Sequence, residues 1–311
     1  MNISASFPQT ITDLRAGGKA AMARALAAIE HSPEDSAVTH LLDEAWQHPH
    51  GHVLGLTGPP GVGKSTLINA LIATWRKSGK TVGVIAVDPS SRRTGGALLG
   101  DRTRFATNPE DEGIFVRSMA ARERLGGLAG LTVPAMILMR AVYDIVLVET
   151  VGVGQSETDV ASVADTVIFC IQPGSGDSLQ FMKAGIMEVP HIMVVTKADM
   201  GARADRARAD VAGALGLSDA GQEGWQVPVL KLSASSGEGI KDLVAAVDGH
   251  ADWLQQTGEL ERSRQAQAQS WLRDMVREKY GSEGLKKVKD RIALAAGQSP
   301  FRKSVEIFRL M

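Results

Sequence analysis

The sequence predicts an α/β fold in which a mainly parallel central sheet is flanked by helices, with helical segments added before and after it. Three observations carry that prediction. Short β-branched runs recur between residues 52 and 232, most of them separated by stretches long enough for a helix. The first run leads directly through a glycine-rich turn into a helical pattern. The segments on either side carry apolar residues at helical spacing.

In chain order, residues 10–49 read as helical. Leu14, Met22, Leu26 and Ile29 form one apolar stripe, and Val38, Leu41, Leu42 and Trp46 another, with Trp46 expected in the core. "HSPED" divides them, with Ser32 expected as a cap and Pro33 in the first turn of the second helix. Strands are expected at 52–57 (HVLGLT), 81–87 (TVGVIAV), 113–118 (GIFVRS), 143–149 (YDIVLVE), 166–171 (TVIFCI), 191–196 (HIMVVT) and 227–232 (VPVLKL). His191 reads as an ordinary residue at a strand start. Helix resumes from Gly239 to Gln256 and breaks at Gly258. Beyond it, Trp271, Leu272, Met275, Val276 and Tyr280 form an apolar stripe on a charged helix, and Leu285, Val288 and Ile292 extend it. Such a stripe needs a cover, either the chain's own sheet domain or a second subunit. The expected organisation is a helical extension at 1–50, a sheet domain at 51–257 and a helical arm at 258–311.

Composition narrows the function classes. The chain has 311 residues, with 34 Lys and Arg against 35 Asp and Glu, so no broad polycationic surface is expected. With five Trp, seven Phe and two Tyr there is also little aromatic surface for base stacking, and nucleic acid is not an expected partner. Cys170 is the only cysteine, which excludes an internal disulfide, and its place in "TVIFCI" implies a packed thiol. The first residues show neither a basic leader nor an apolar core, and no run reaches membrane-spanning length. A cytoplasmic location without membrane contact is expected.

The chemistry gathers at the ends of the expected strands, where sheets of this kind bind their ligands. "GPPGVGKST" matches the spacing G-x-x-x-x-G-K-[ST] through Gly58, Gly63, Lys64 and Ser65, with a strand before it and a helix after it. This is the phosphate loop of P-loop nucleotide-binding folds. Backbone N–H groups of Gly58, Pro59, Pro60, Gly61, Val62 and Gly63, prolines excepted, can turn toward phosphate oxygens, and the following helix presents its positive end. Lys64 can reach the β/γ-phosphates, Ser65 can ligate Mg²⁺, and Thr66 can touch the α-phosphate. Asp88 closes a strand and is a candidate Mg²⁺ ligand, held directly or through water. Thr94, Gly95, Gly96 and Asp101 follow in a basic stretch with Arg92, Arg93, Arg102 and Arg104, read either as a solvated loop or as a γ-phosphate sensor. Glu149 is a second strand-end acid, and Gly152 offers an N–H for the γ-phosphate. Gln155 positions water or packs; Glu157 and Asp159 belong to the surface or to a switch. "TKAD" after the sixth run and "SAS" after the seventh suggest a guanine reader. Asp199 can accept from the ring N1–H and amino group, the Lys197 stem can lie along the ring, and Ser233 and Ala234 complete the turn.

Taken together these residues resemble the MeaB/ArgK family, P-loop GTPases that assist cobalamin-dependent acyl-CoA mutases. The likeness runs through "GPPGVGKSTLINAL", "VDPSSRRTGGALLGDRTRF", "FVRSMAARERLGGL", "VETVGVGQSETDV", "PGSGDSLQFMKAGIMEV" and "TKAD", most of residues 50–240. It implies GTP hydrolysis with Mg²⁺ and a homodimer held partly by the C-terminal arm. It also implies a complex with an acyl-CoA mutase, methylmalonyl-CoA mutase or a relative, whose cofactor loading or repair is gated by nucleotide. By the same likeness Lys64, Asp101 and Glu149 are catalytic, and Ser65, Asp88, Asp101 and Glu149 belong to the metal region. Pro173–Glu188 is an additional switch carrying Asp177, Gln180 and Lys183. Two departures stand out. Thr196 occupies the place of the usual Asn and lacks the amide that braces the phosphate loop, so a less rigid site is expected. Phe181, Pro190 and His191 differ from the familiar family form, which leaves the identity of the mutase open. A kinase built on the same loop and a metallochaperone GTPase are the competing readings. The first lacks a clear acceptor-binding motif, and the second a His/Cys cluster.

Overall fold

The computed structural model describes residues 7–89, 105, 108–121, 130–150, 159–174, 189–218 and 224–311. Three helices open the chain: α1 (Ile11–Ala16), α2 (Gly18–His31) and α3 (Ser36–Gln47). There follow β1 (His52–Thr57), α4 (Lys64–Lys77), β2 (Val82–Pro89), β3 (Ile114–Ala121), α5 (Thr132–Arg140), β4 (Ile145–Glu149) and β5 (Thr166–Ile171). Then come β6 (Ile192–Val195), α6 (Ala202–Ser218), β7 (Val229–Lys231), α7 (Ile240–Thr257), α8 (Glu259–Lys287) and α9 (Pro300–Phe308). The strands form one seven-stranded sheet in the order β3-β2-β4-β1-β5-β6-β7, with every pair parallel.

Because both faces of the sheet are covered, its central strands β1, β4, β5 and β6 are buried almost throughout, and alternate residues go to opposite layers. Val53, Ile85, Val146, Val148 and Val167 pack with α1, α2, α3 and α5. Leu54, Val84, Leu147, Ile168 and Val194 pack with α4 and α7 around the fully buried Trp75. Cys170 lies in this second layer as a buried free thiol, and burial pushes its pKa up to about 12.

Some boundaries differ from expectation. The strand expected at 113–118 runs on to Ala121, and the one expected at 81–87 to Pro89. Ser32 does not cap α3. Its N–H bonds Ala28 O and so ends α2, whereas the extended Asp35 brings its carboxylate to Ala37 N at 2.8 Å. Pro33 therefore precedes the helix and is not in its first turn.

The cover for the C-terminal stripe lies within the chain. Leu272 and Val276 bury against Val288, Ile292 and Ile307, while Trp271 meets Phe301 edge-on at 5.1 Å. Helix α9, which the strand and stripe pattern left unassigned, starts at a Ser299 cap with Pro300 in its first turn. Ser299 and Arg302 both bond Asp43 of α3, so the arm returns to the N-terminal helices. Gly281, with φ 68°, breaks the helical path inside α8. Among the described residues no helix is long and apolar enough to cross a membrane.

At the amino ends of the strands three histidines are packed without charge. The Thr166 hydroxyl lies 2.7 Å from both His52 Nε2 and His250 Nδ1, and Val167 N donates to His191 Nδ1 at 2.9 Å. The His191 and His250 rings stack at 4.4 Å, with Trp225 and Trp253 against His250. Burial, reinforced for each by neighbouring histidine, brings His191 down to about 4 and His250 to about 3, against a weaker upward pull from Asp165. His52 is lowered by burial as well, with Asp165 and Asp248 opposing and Arg264 and Lys80 assisting.

These groups protonate more readily in the unfolded chain, so the unfolded state takes up more protons once pH falls below about 6.5. Stability is therefore full above that pH and declines toward pH 4, each histidine steepening the slope by at most about 1.4 kcal/mol per pH unit. Urea midpoints are expected to drop between pH 7.5 and 5. Asp159, which burial and then Asp274 push up to about 6, opposes part of that drop, because the folded chain takes up its proton first, so the histidine share is read from the variant. His250→Gln should flatten that slope, and an unchanged slope in the variant would contradict the assignment.

Candidate functional site

The carboxyl ends of β1, β2, β4, β5, β6 and β7 all face one edge of the sheet, since every strand is parallel. The chain leaves β1 into residues 58–63, where Gly58, Gly61 and Gly63 hold φ of 133°, 76° and 103°. Two of these positions show why glycine is required. A Cβ on Gly58 would sit 2.3 Å from the Cys170 carbonyl, and Gly63 is the left-handed cap from which α4 starts at Lys64. The loop thus aims the amino end of a 14-residue helix at the strand edge.

Lys64 is 6 % exposed and bends back over its own loop, donating to Gly58 O at 2.7 Å and Pro59 O at 3.2 Å. Ser65 Oγ donates to Glu149 Oε1 at 3.0 Å. Glu149 ends β4, between β1 and β2, in register with Leu56 and Ala86. Its carboxylate is buried. Next to it the Thr150 hydroxyl bonds Thr57 Oγ1 at 3.1 Å, so the two strand ends are tied at the loop's base. Asp88 lies in β2, two residues beyond the pairing of Ala86 with Glu149. Pro60 of the loop and Thr66, in the first turn of α4, are exposed. Asp101, Gly152, Gln155, Asp177, Gln180 and Lys183 fall outside the described residues.

The turn after β6 reaches the same loop from the other side. The Thr196 hydroxyl bonds Val62 O at 2.8 Å and Ile171 O at 3.1 Å. The brace expected to be missing without an Asn amide is therefore made by the hydroxyl. Lys197, at φ 56°, sends its ammonium to Gly61 O at 3.2 Å and Gln172 Oε1 at 2.7 Å. Asp199 is exposed and accepts from the buried Ser233 hydroxyl at 2.8 Å, while Ala198 N bonds Leu232 O. Ser233 thus steadies Asp199, with Ala234 following it in the turn. Gln172 was not among the residues singled out from the sequence; its only signal there is a polar side chain directly after an apolar strand.

The arrangement unites a glycine-rich loop at a helix amino end, a buried lysine, a hydroxyl beside a carboxylate, and an exposed carboxylate beyond a lysine. It can hold a phosphate chain at one end and a base with adjacent donors at the other. The family model described as "Methylmalonyl Co-A mutase-associated GTPase MeaB" matches residues 22–289. The chain belongs to the MeaB family. Membership makes it a P-loop GTPase, in agreement with the motifs read from the sequence. Among MeaB-family relatives, GTPase ArgK of Escherichia coli (strain K12) is 38 % identical over 280 residues, covering 88 % of this chain and 85 % of the relative. The mitochondrial methylmalonic aciduria type A homolog of Mus musculus is 39 % identical over 228 residues, 72 % of this chain and 55 % of that protein. The crystal structure of LAO/AO transport system kinase superposes with a TM-score of 0.68 at 30 % identity, covering 96 % of each chain.

Proposed function

We propose that this MeaB-family GTPase is a guanine-nucleotide switch that hydrolyses GTP to GDP and phosphate and chaperones a cobalamin-dependent acyl-CoA mutase. The carrying observation is the meeting of two turns at one sheet edge, where Thr196 and Lys197 hold the carbonyls of Val62 and Gly61. A base reader and a phosphate loop joined in this way fit one nucleotide spanning both. In this reading loop N–H groups and Lys64 hold the β/γ-phosphates, and the amino end of α4 offsets the charge that builds as water displaces GDP from the γ-phosphorus. No described side chain at the loop is poised as a strong base, which supports catalysis by positioning.

The Ser65 hydroxyl and Glu149 carboxylate, 3.0 Å apart at the base of the loop, are hard oxygen donors of the kind Mg²⁺ prefers. With Asp88 and Asp101 they would hold that ion, which supplies charge neutralisation on the phosphates. The mutase partnership rests on the family description and on the mouse relative's name; methylmalonyl-CoA mutase or a relative is the partner it suggests. A homodimer rests on the family likeness too, since the arm's apolar stripe is buried within its own chain. A turn carrying Lys197 and Asp199 beside the phosphate loop, the residue types of a guanine reader, supports this reading over a kinase.

Competitive titration tests it. GTP should bind far more tightly than ATP, and Asp199→Ala should weaken GTP on the order of 10²-fold or more with little change for ATP. Equal affinity for both nucleotides in the parent protein would end the guanine reading. The partnership is tested separately, by whether an acyl-CoA mutase is recovered on GTP-loaded and GDP-loaded protein.

A further inference from the structure

The strand β5 ends at Ile171, and the next residue touches the base-reading turn. Gln172 Oε1 accepts from the Lys197 ammonium at 2.7 Å, the shorter of that lysine's two bonds; the other, to Gly61 O, is 3.2 Å. An ammonium has three donors and a four-carbon stem with many rotamers, so a second acceptor does more than add a bond: it selects one direction for the stem. Bonds from a charged donor are also the stronger kind. Lys197 is constrained at its other end as well. It is the only non-glycine residue with positive φ among those described, and that left-handed backbone turns the stem from the line of β6 toward the phosphate loop.

Gln172 is itself well placed to set this direction. Ile171 O, one residue before it, receives Thr196 N at 2.8 Å and Thr196 Oγ1 at 3.1 Å. The end of β5 and the turn after β6 are therefore stitched at consecutive residues, 171 to 196 and 172 to 197. Behind them the Cys170 carbonyl packs so closely on Gly58 that no side chain fits there. Residues 170–172, 196–197 and 58–62 form one unit, and Gln172 is the member whose side chain supplies the shorter of the two bonds that direct the lysine.

We propose that Gln172 is a positioning residue for guanine nucleotide, acting through Lys197 to set how long the nucleotide stays bound. It accepts the lysine's hydrogen bond and makes no contact with the reacting phosphates. The inference rests on the guanine-reading role given to Lys197 and Asp199.

The test is the release rate of fluorescent GDP from the full chain. Gln172→Leu, which removes the acceptor at similar volume, should speed release about tenfold. Gln172→Glu, which keeps the acceptor and adds charge, should slow release below that of the parent. In a Lys197→Ala background the Gln172→Leu change should have no further effect, because its route is gone. Unchanged release in Gln172→Leu, or an equal acceleration with Lys197 absent, would overturn the proposal. If Gln172→Leu does not fold, Gln172→Glu decides alone, and release as fast as the parent's counts against it. GTP and ATP competition on the parent protein separates the two ideas. Loss of guanine preference there removes the underlying reading, whereas intact preference with a silent Gln172→Leu removes only the role of Gln172.

Discussion

Lys64→Ala should lower kcat/KM for GTP hydrolysis by about 10² to 10³-fold, the loss typical when a preorganised cationic or N–H donor is taken from a developing oxyanion. The ammonium is buried, donates to Gly58 O and Pro59 O, and starts the helix whose positive end faces the loop. Two of its bonds are local, to carbonyls five and six residues away. The expected signature is a steep fall in phosphate release. Lys64→Met, which keeps most of the stem, should be nearly as inactive, because the charge is what the phosphates require. Measurement of phosphate release under single-turnover conditions separates loss of chemistry from loss of binding. Parent-level turnover in either variant would refute the role given to this lysine.

What the sequence disclosed follows from how each feature is encoded. The strands were legible because a doubly covered parallel sheet demands continuous apolar runs, and "YDIVLVE" or "TVIFCI" are short and rich in β-branched residues. The phosphate loop was legible because its geometry is local: glycines at φ values other residues avoid, then a helix start, all within a few positions. Contacts made across long separations were not. Thr196 reaches Val62 across 134 residues, and nothing in "TKAD" says that a hydroxyl can take over an amide's task. Gln172 meets Lys197 across 25 residues. The cover for the arm's stripe was equally hidden, since amphipathic spacing shows that a face must be buried but not by what. The short helix α9 did have a local signal, Ser299 before Pro300, but only a brief apolar pattern behind it.

The least legible feature carries the largest expected effect on stability. Asp165, which precedes the apolar run of β5, is 4 % exposed and accepts two bonds from Arg264 of α8, at 2.8 and 2.7 Å, across 99 residues. It also accepts from Val53 N at 2.8 Å, while Arg264 donates to Gly51 O at 3.0 Å. Burial alone would raise the Asp165 pKa, but the Arg264 guanidinium, helped by His52 and Arg140, holds it below the usual carboxylate range. Removing the carboxylate strands a largely buried guanidinium and an N–H of β1, and it takes a counter-charge from Arg140, which is 2 % exposed. Asp165→Ala should therefore cost about 3–5 kcal/mol of unfolding free energy, the range for breaking one side of a buried pair. Arg264→Met should cost less, because Arg140 still offsets the remaining carboxylate. Asp165→Leu combined with Arg264→Met should recover part of the loss, since an apolar pair buries no charge, while the Val53 N–H it leaves unpaired keeps the recovery incomplete. Denaturant unfolding of the three variants checks this ordering, and a single-variant loss under about 1 kcal/mol would mean that the pair is surface-like in its energetics. The pair also anchors α8, where Gln267 of the same helix donates to Ala161 O and Ala164 O at 2.9 and 2.8 Å.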